Sequence, residues 1–218
     1  MTLLHAPQRD LVQVRVRPPS PVVYIVDDDI SVRESLETLI CLEGFEVRSF
    51  DCARSFLDCP HKPELGCLLL DNTLPSLTGL ELQRSLVIDR PTMPIVFMSG
   101  REDASTIVQA MKAGAVEFLT KPLDTTRLLE AVQLAIAKSQ LLLAQEQHKN
   151  ALEQRYKELT RREREVLTRV LRGLLNREIA VELGISEITV KAHRGQVMRK
   201  MEARTLADLF RMASDLGF

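Results

Sequence analysis

Five short apolar runs, each followed by a segment long enough for a helix, constrain this chain more than any other feature of its sequence. The runs are VVYIV, FEVRSF, CLLLD, PIVFMS and VEFLT, all between residues 22 and 120. Three of them are apolar without alternation, which is typical of strands buried on both faces of a parallel sheet. The pattern predicts five strands alternating with five helices in a doubly wound α/β fold. Sites in such folds form beyond the carboxyl ends of the strands.

Charged and polar side chains lie where these strands are predicted to end. They are Asp27, Asp28 and Asp29 after the first strand, Asp71 after the third, Ser99 after the fourth and Lys121 after the fifth. Carboxylates crowded at one edge repel each other unless a divalent cation lies among them, and hard oxygen ligands favour Mg²⁺. A single aspartate at a strand end would indicate no more than a turn. The full set predicts a magnesium site at which Asp71 is the nucleophile for a phosphoryl group, with Lys121 and Ser99 contacting the phosphoryl oxygens.

The strand-end motifs resemble those of the response-regulator receiver family. The matching segments are VDDD, LLLDNTLPSLTGLEL, FMSG and AMKAGAVEFLTKP, and the resemblance extends from residue 21 to about residue 140. It implies a flavodoxin-like receiver fold in which Asp71 is the phosphoacceptor. It also implies that Asp28, Asp71 and the backbone carbonyl of Thr73 bind Mg²⁺, with Asp27 supporting the ion.

The receiver resemblance also implies a switch that follows phosphorylation, in which Ser99 and Phe118 move together. By its residue type alone, Phe118 fits an ordinary core aromatic equally well. The family further implies a cis peptide bond between Lys121 and Pro122. The loops depart from the family pattern, because Asn72-Thr73-Leu74 replaces a frequent Val-Arg-Met and Arg101-Glu102 replaces the usual His-Gly. Our hypothesis is that these changes alter the lifetime of the phosphorylated state, so that changing Asn72 or Arg101 shifts autodephosphorylation.

Residues 123–172 contain neither proline nor glycine. Apolar residues spaced among Gln, Glu, Lys and Arg predict a long helix here, which serves as the fifth helix of the sheet domain and then as a linker. A break near His148 is left open. Because no apolar heptad register holds for three repeats, a coiled coil is not predicted.

Closely spaced helix signals follow the linker. Thr160 and Glu163 form a capping-box pattern, and a short helix is predicted from residue 176 to residue 183. Gly184-Ile185 supplies a turn, and Ser186 can cap a longer helix over residues 188–201. That longer helix carries an apolar stripe (Val190, Val197, Met201) and a cationic remainder (Lys191, Arg194, Arg199, Lys200). A short helix, a turn containing glycine and a basic helix form the helix-turn-helix arrangement.

The segments REREVL, NREIA, ISEITVKAHR and RKM resemble the LuxR/FixJ-type helix-turn-helix over about residues 155–216. The resemblance implies a four-helix domain whose recognition helix follows Ser186. It places six residues at or near DNA, namely Asn176, Ser186, Thr189, Lys191, His193 and Arg194. From the residues, Lys191 and Arg194 suit phosphates or guanine edges, while Ala192 and Gly195 permit a close approach to the major groove.

The last apolar stripe has two interpretations. Leu206, Leu209, Phe210 and Ala213 are spaced along one helix face. In the LuxR/FixJ-type family this helix pairs two copies on DNA, whereas the spacing alone equally predicts packing within its own domain.

Charge and cysteine usage agree with a two-domain chain. Residues 151–218 carry 14 Lys and Arg against 10 Asp and Glu, whereas residues 1–150 carry 15 against 20. An acidic N-terminal part and a basic C-terminal part suit a metal site followed by a polyanion-binding domain. The four cysteines match no zinc or disulfide spacing, so reduced thiols are predicted; a metal cluster of Cys52, Cys59, His61 and Cys67 is the alternative. No apolar run is long enough to span a membrane and no signal pattern opens the chain, so we expect a cytoplasmic protein.

These observations predict a DNA-binding transcription regulator of a two-component system. The expected boundaries are a disordered extension over residues 1–20, a receiver over 21–137, a helical linker over 138–158 and a helix-turn-helix domain over 159–218. The expected partners are a sensor histidine kinase, double-stranded DNA, a second copy after phosphorylation and RNA polymerase, with activation of transcription as the output. No enzyme activity is expected beyond self-phosphorylation and slow autodephosphorylation at Asp71.

Two rival functions are also compatible with parts of the sequence. VVYIVDDD also resembles the DxD motif of haloacid-dehalogenase-type phosphohydrolases, with Asp27 and Asp29 as the pair. That interpretation leaves Asp71 without a role and ignores the helix-turn-helix. The second rival keeps the fold but makes the receiver a constitutive dimerisation module, and the intact acidic pocket argues against it.

Overall fold

A computed structural model describes residues 20–60, 62–75, 77–100 and 104–218 of the chain. The chain divides into two compact units, the first ending at Ser139 and the second running from Gln140 to Phe218. The predicted extension over residues 1–20 lies, apart from Ser20, outside the described residues, as do His61, Arg101 and Glu102. The predicted domain boundaries stay predictions.

The first unit is built on a parallel sheet of five strands in the order β2-β1-β3-β4-β5. The strands in the described part of this unit are β1 (Val22–Val26), β2 (Glu46–Phe50), β3 (Gly66–Asp71), β4 (Ile95–Ser99) and β5 (Glu117–Thr120). All five predicted strands are therefore confirmed. The predicted burial is confirmed too, because every residue of β1, β3 and β4 is buried, whereas the edge strand β2 is only partly covered.

Helices cover both faces of the sheet. They are α1 (Ile30–Leu42), α2 (Ala53–Asp58), α3 (Gly79–Asp89), α4 (Ala104–Lys112) and the first part of α5 (Thr125–Lys157). Successive strand residues point to opposite faces, so Tyr24 packs with α2, α3 and α4 while Ile25 packs with α1 and α5. This arrangement is the predicted doubly wound fold.

Helix α5 is a single helix of 33 residues. It continues through His148, so the break considered there is absent. Within the first unit it is attached by Ser139, which is fully buried. The Ser139 hydroxyl accepts a bond from the Gly66 amide at 3.3 Å and donates to the Thr92 carbonyl at 3.2 Å. These bonds fix α5 beside the start of β3.

The second unit contains four further helices, α6 (Arg161–Leu171), α7 (Asn176–Leu183), α8 (Glu187–Lys200) and α9 (Leu206–Asp215). The predicted capping box is confirmed, since the Thr160 amide donates to the Glu163 carboxylate at 2.7 Å and the Glu163 amide donates to the Thr160 hydroxyl at 3.3 Å. Gly184 ends α7 with a left-handed φ of 64°. Ser186 then caps α8, as predicted. Over the described ranges, no helix has the length and apolar character that a membrane crossing requires.

Candidate metal centre and nucleic-acid interface

Three carboxylates converge at the carboxyl edge of the sheet. Asp27 and Asp28 follow β1, and Asp71 ends β3, the strand beside it. One carboxylate oxygen from each lies within 4.8 Å of the others. Asp27 is fully buried and Asp71 is 5% exposed, whereas Asp28 is exposed. Two of the three carboxylates are therefore buried, and the third is open to solvent.

Lys121 bridges two of these carboxylates. Its ammonium donates to Asp27 Oδ2 at 2.7 Å and to Asp71 Oδ2 at 2.8 Å. The lysine directly follows β5, and its amide donates to the Ser99 carbonyl at 2.8 Å, which fixes its backbone beside the end of β4. The Lys121–Pro122 peptide is cis, as the family resemblance implies.

The pocket holds more negative charge than Lys121 neutralises. Burial raises the pKa of Asp27, and the Asp71 charge adds to the rise, although bonds from Lys121 and the Asp29 amide oppose it. Burial alone would lower the pKa of Lys121, but the bonds to both carboxylates outweigh it and the pKa is raised. Each group thus binds its proton more tightly than usual. Three carboxylates facing one ammonium are an environment that attracts a further cation.

The donor set suits Mg²⁺. Carboxylate oxygens are the hard ligands that this ion prefers, and exposed Asp28 leaves one side open for the waters that Mg²⁺ retains. Thr73 is held at the same place, since its amide donates to Asp71 Oδ1 at 2.9 Å. In the described part of the chain, no other cluster of three metal-ligating side chains is this close.

The loop after Asp71 is tightly packed. A Cβ added to Gly79 at the start of α3 would lie 2.8 Å from the Phe97 ring and 2.9 Å from the Asn72 Cα, so only glycine fits there. Asn72 Oδ1 is buried and accepts no hydrogen bond from the described residues. The family departure at Asn72 therefore lies in a closely packed loop beside the predicted phosphoacceptor.

Ser99 and Phe118 lie on neighbouring strands. Ser99 ends β4 and is fully buried, and Phe118 on β5 is 8% exposed. The Phe118 ring stacks on Phe97, its partner in the register of β4 and β5, with centroids 5.8 Å apart and planes at 16°. The structure thus describes a state with the Phe118 ring packed inside the unit.

The alternative phosphohydrolase site loses its support, whereas the alternative cysteine cluster stays a prediction. The Asp29 carboxylate caps α1 by accepting bonds from the Ser31 and Val32 amides, so the Asp27–Asp29 pair of the phosphohydrolase interpretation is not assembled. All four cysteines are free thiols, and burial raises the pKa of Cys67 to about 12. His61, part of the alternative cysteine cluster, lies outside the described residues.

Helix α8 has two opposite faces. Val190 and Val197 are buried against α6 and α7, as predicted. The opposite face is exposed, and it carries Ile188, Lys191, Ala192, Gly195 and Arg199. Ile188 was not identified from the sequence. It precedes Lys191 by three residues and Ala192 by four, a spacing that places it on this face.

The six residues predicted to contact DNA differ in their exposure and in their hydrogen-bond or ion-pair partners. Lys191 is exposed and pairs with Glu187 at 3.3 Å. Arg194, on the flank of the helix, donates to Asn176 Oδ1 at 2.6 Å. The hydroxyls of Ser186 and Thr189 bond each other at 2.8 Å at the start of α8. His193 is half-buried, between the exposed and buried faces.

The apolar stripe of α9 is divided between the interior and the surface of its unit. Leu209 and Ala213 are 2% and 4% exposed, so they pack within their own unit. Leu206 and Phe210 are 42% and 40% exposed. Two of the four residues are thus left available on the surface.

Comparisons with known proteins cover both units. Residues 23–133 match the family described as response regulator receiver domain, and residues 157–213 match bacterial regulatory proteins of the luxR family. Nodulation protein W of Bradyrhizobium diazoefficiens is 42% identical over 90% of this chain and 86% of its own length. The solved response regulator StyR is 43% identical over 89% and 98% of the two chains, with a TM-score of 0.75. Full-length FixJ from B. japonicum is 36% identical over 92% and 98%, with a TM-score of 0.55.

Proposed function

The chain belongs to the two-component response regulators of the FixJ/LuxR type, and on that premise we propose that it regulates transcription when Asp71 accepts a phosphoryl group from a sensor histidine kinase. The observation that carries the proposal is the bridge from Lys121 to Asp71 and Asp27 within a cluster of three carboxylates. The second unit supplies the output through the exposed basic face of α8.

The chemical step is phosphoryl transfer to a carboxylate. An oxygen of Asp71 forms a bond to phosphorus while the bond from phosphorus to the kinase imidazole nitrogen breaks, and the imidazole leaves with its electron pair. Lys121 and Ser99 then contact the oxygens of the acyl phosphate. Asp71 Oδ1 is held by the Thr73 amide and Oδ2 by Lys121, so the nucleophile is oriented before the donor arrives.

Asp27, Asp28, Asp71 and the Thr73 carbonyl would hold Mg²⁺, which supplies charge neutralisation for the phosphoryl oxygens. The residues of the chain do the rest. Asp27 orients the Lys121 ammonium, and the same lysine holds Oδ2 of Asp71 in place. Self-phosphorylation and slow autodephosphorylation at Asp71 are the covalent chemistry we assign to the chain.

Phosphorylation is transmitted through Ser99 and Phe118. The phosphoryl group draws the Ser99 hydroxyl inward, and the Phe118 ring leaves its stacked position on Phe97 for the space that opens. That rearrangement remodels the face formed by α4, β5 and α5. A switch of this kind needs two packed states that differ by a few kcal/mol, and phosphorylation favours one of them.

The output is DNA binding by a dimer. Phosphorylated receivers pair, and the helix-turn-helix units bind promoter DNA through Asn176, Ser186, Thr189, Lys191, His193 and Arg194. The domains are a receiver over residues 21–137, a linker over 138–158 and a DNA-binding domain over 159–218. Exposed Leu206 and Phe210 on α9 pair the two copies on DNA. The chain acts in the cytoplasm, where it recruits RNA polymerase as an activator.

The discriminating experiment measures dimerisation and DNA binding with and without acetyl phosphate and Mg²⁺. Wild type should dimerise and bind DNA more tightly when both are present. Asp71→Asn should show no response, because its amide is a far weaker nucleophile. Sedimentation and fluorescence anisotropy supply the two measurements.

Asp89→Asn is the matched control, since Asp89 is an exposed aspartate at the end of α3. It should respond to phosphorylation as wild type does. If wild type and Asp71→Asn behave alike in all conditions, the receiver is a constitutive dimerisation module and the phosphorylation proposal is wrong.

A further inference from the structure

The exposed face of α8 carries a large apolar side chain that the fold does not use. Ile188 is 80% exposed, whereas the other large apolar side chains of α8 are buried or half-buried. A single exposed apolar residue is ordinary on a protein surface. What distinguishes Ile188 is the set of residues that share its helix face.

Four residues form a continuous strip along this face. Ile188, Lys191, Ala192 and Gly195 follow the spacing i, i+3, i+4, i+7, which places them on one side of a helix, and all four are exposed. We call this set the α8 strip. It combines one cation, one large apolar side chain and two positions with almost no side chain.

The structure of the domain itself does not require a glycine at position 195 of the α8 strip. Glycine inside a helix lowers stability relative to alanine. A Cβ at Gly195 would meet no atom within 4 Å, and its φ lies outside the left-handed region. Neither packing nor backbone conformation therefore requires glycine here. Its lack of a side chain suits a surface that something outside the domain approaches closely.

Resting on the proposed role of α8 in reading DNA, we propose that Ile188 is a specificity-determining residue that packs on the 5-methyl group of a thymine in the major groove. That methyl is the large apolar group of the major-groove edge, where the bases otherwise present mainly hydrogen-bond donors and acceptors. Ala192 and Gly195 bring the helix close enough for this contact. Lys191, on the same strip, contacts a phosphate or guanine edge beside it.

The test selects binding sites from a random duplex pool with the full-length protein, acetyl phosphate and Mg²⁺. Each thymine of the selected site is then replaced by uracil, which differs only in lacking the methyl group. At one position per half-site, uracil should weaken wild-type binding about fourfold, the ratio expected for one buried methyl-sized group. Ile188→Ser should show equal affinity for thymine and uracil at that position, and Ile188→Val should keep part of the difference.

Val181→Ser is the matched control. Val181 is 84% exposed on α7, so its replacement removes a similarly exposed apolar side chain away from the α8 strip. This variant should select the wild-type site with the wild-type sensitivity to uracil. Circular dichroism should show all three variants folded, because neither position is buried.

Four outcomes would overturn the inference, and they differ in what they leave standing. If Ile188→Ser keeps the wild-type response to uracil, the contact is absent while the role of α8 stands. If Ile188→Ser keeps its base preferences but loses transcription with RNA polymerase, the side chain contacts a protein instead. If Lys191→Ala binds DNA as wild type does, or wild type selects no common site, the proposed role of α8 is wrong and this inference falls with it.

Discussion

Each unit contains a lysine bound to a nearly buried carboxylate, and the two pairs differ in what surrounds them. Lys121 in the receiver unit and Lys200 in the second unit have side chains 22% and 20% exposed. Each makes an ion pair at 2.7 Å, Lys121 with Asp27 and Lys200 with Glu163. The distances and the side-chain exposures are thus similar, but the pKa of Asp27 is raised whereas that of Glu163 is lowered.

Burial has the largest effect on both carboxylates, but it outweighs the favourable bonds only at Asp27. Burial raises the pKa of Asp27, and the neighbouring Asp71 charge raises it further because both carboxylates share Lys121. Burial would also raise the pKa of Glu163, but the bonds from Lys200 and Thr160 outweigh it. In the second unit one ammonium pairs with one carboxylate, whereas in the receiver two carboxylates share one ammonium. The first arrangement stabilises a fold, and the second is the one expected of the proposed site for a cation and a phosphoryl group.

The largest expected effect comes from removing the receiver lysine. Lys121→Met should slow phosphorylation of Asp71 by acetyl phosphate about 10²–10³-fold, as loss of one preorganised charge-stabilising donor typically does. Lys200→Met should leave that rate unchanged, although it weakens the second unit. Rates of phosphoprotein formation at saturating Mg²⁺ supply the measurement. A wild-type rate for Lys121→Met would mean that both lysines are structural, and the comparison would fail.

Breaking the matched pair should have the next largest effect, on stability. Glu163→Gln keeps an acceptor for the Thr160 amide but leaves the Lys200 ammonium without its charge partner. We expect a loss of about 2 kcal/mol, between the values typical of exposed and buried pairs, and a midpoint lower by roughly 10 °C for the second unit. Hydrogen exchange of α6 and α8 measures this unit separately. Glu158→Gln, at an exposed glutamate near the end of α5, should change exchange little.

The sequence predicted the elements of both sites because each follows from local rules. Apolar runs located β1, β3 and β4, and since parallel strands end at one edge, the convergence of Asp27, Asp71 and Lys121 followed from topology alone. The Thr160–Glu163 capping box is likewise a spacing of three residues. Such features need no knowledge of how one element packs on another.

What the sequence did not predict depends on contacts between elements. The Arg194–Asn176 bond joins α8 to α7 and depends on how those helices cross, which no periodicity encodes. The close approach of Gly79 to Asn72 and to the Phe97 ring depends on how α3 packs on the sheet. The Lys200–Glu163 pair was missed for the same reason, since 37 residues separate its members. Lys200 therefore seemed to be one more cation on a basic helix.

The smallest effect is the pH dependence that this missed pair should produce. The folded pKa of Glu163 lies below its usual value of 4.5, so the unfolded chain takes up its proton first as the pH falls. The stabilisation is fully present above the usual carboxyl range and is lost as the pH falls through the folded pKa. Between pH 7 and pH 4, wild type should therefore lose more stability in the second unit than Glu163→Gln does, by about 1 kcal/mol or less. Urea unfolding of both proteins at each pH measures the difference, with hydrogen exchange in α6 as the readout for the second unit. Parallel pH profiles would show that Glu163 carries no net charge stabilisation, and the contrast with Asp27 would then rest on geometry alone.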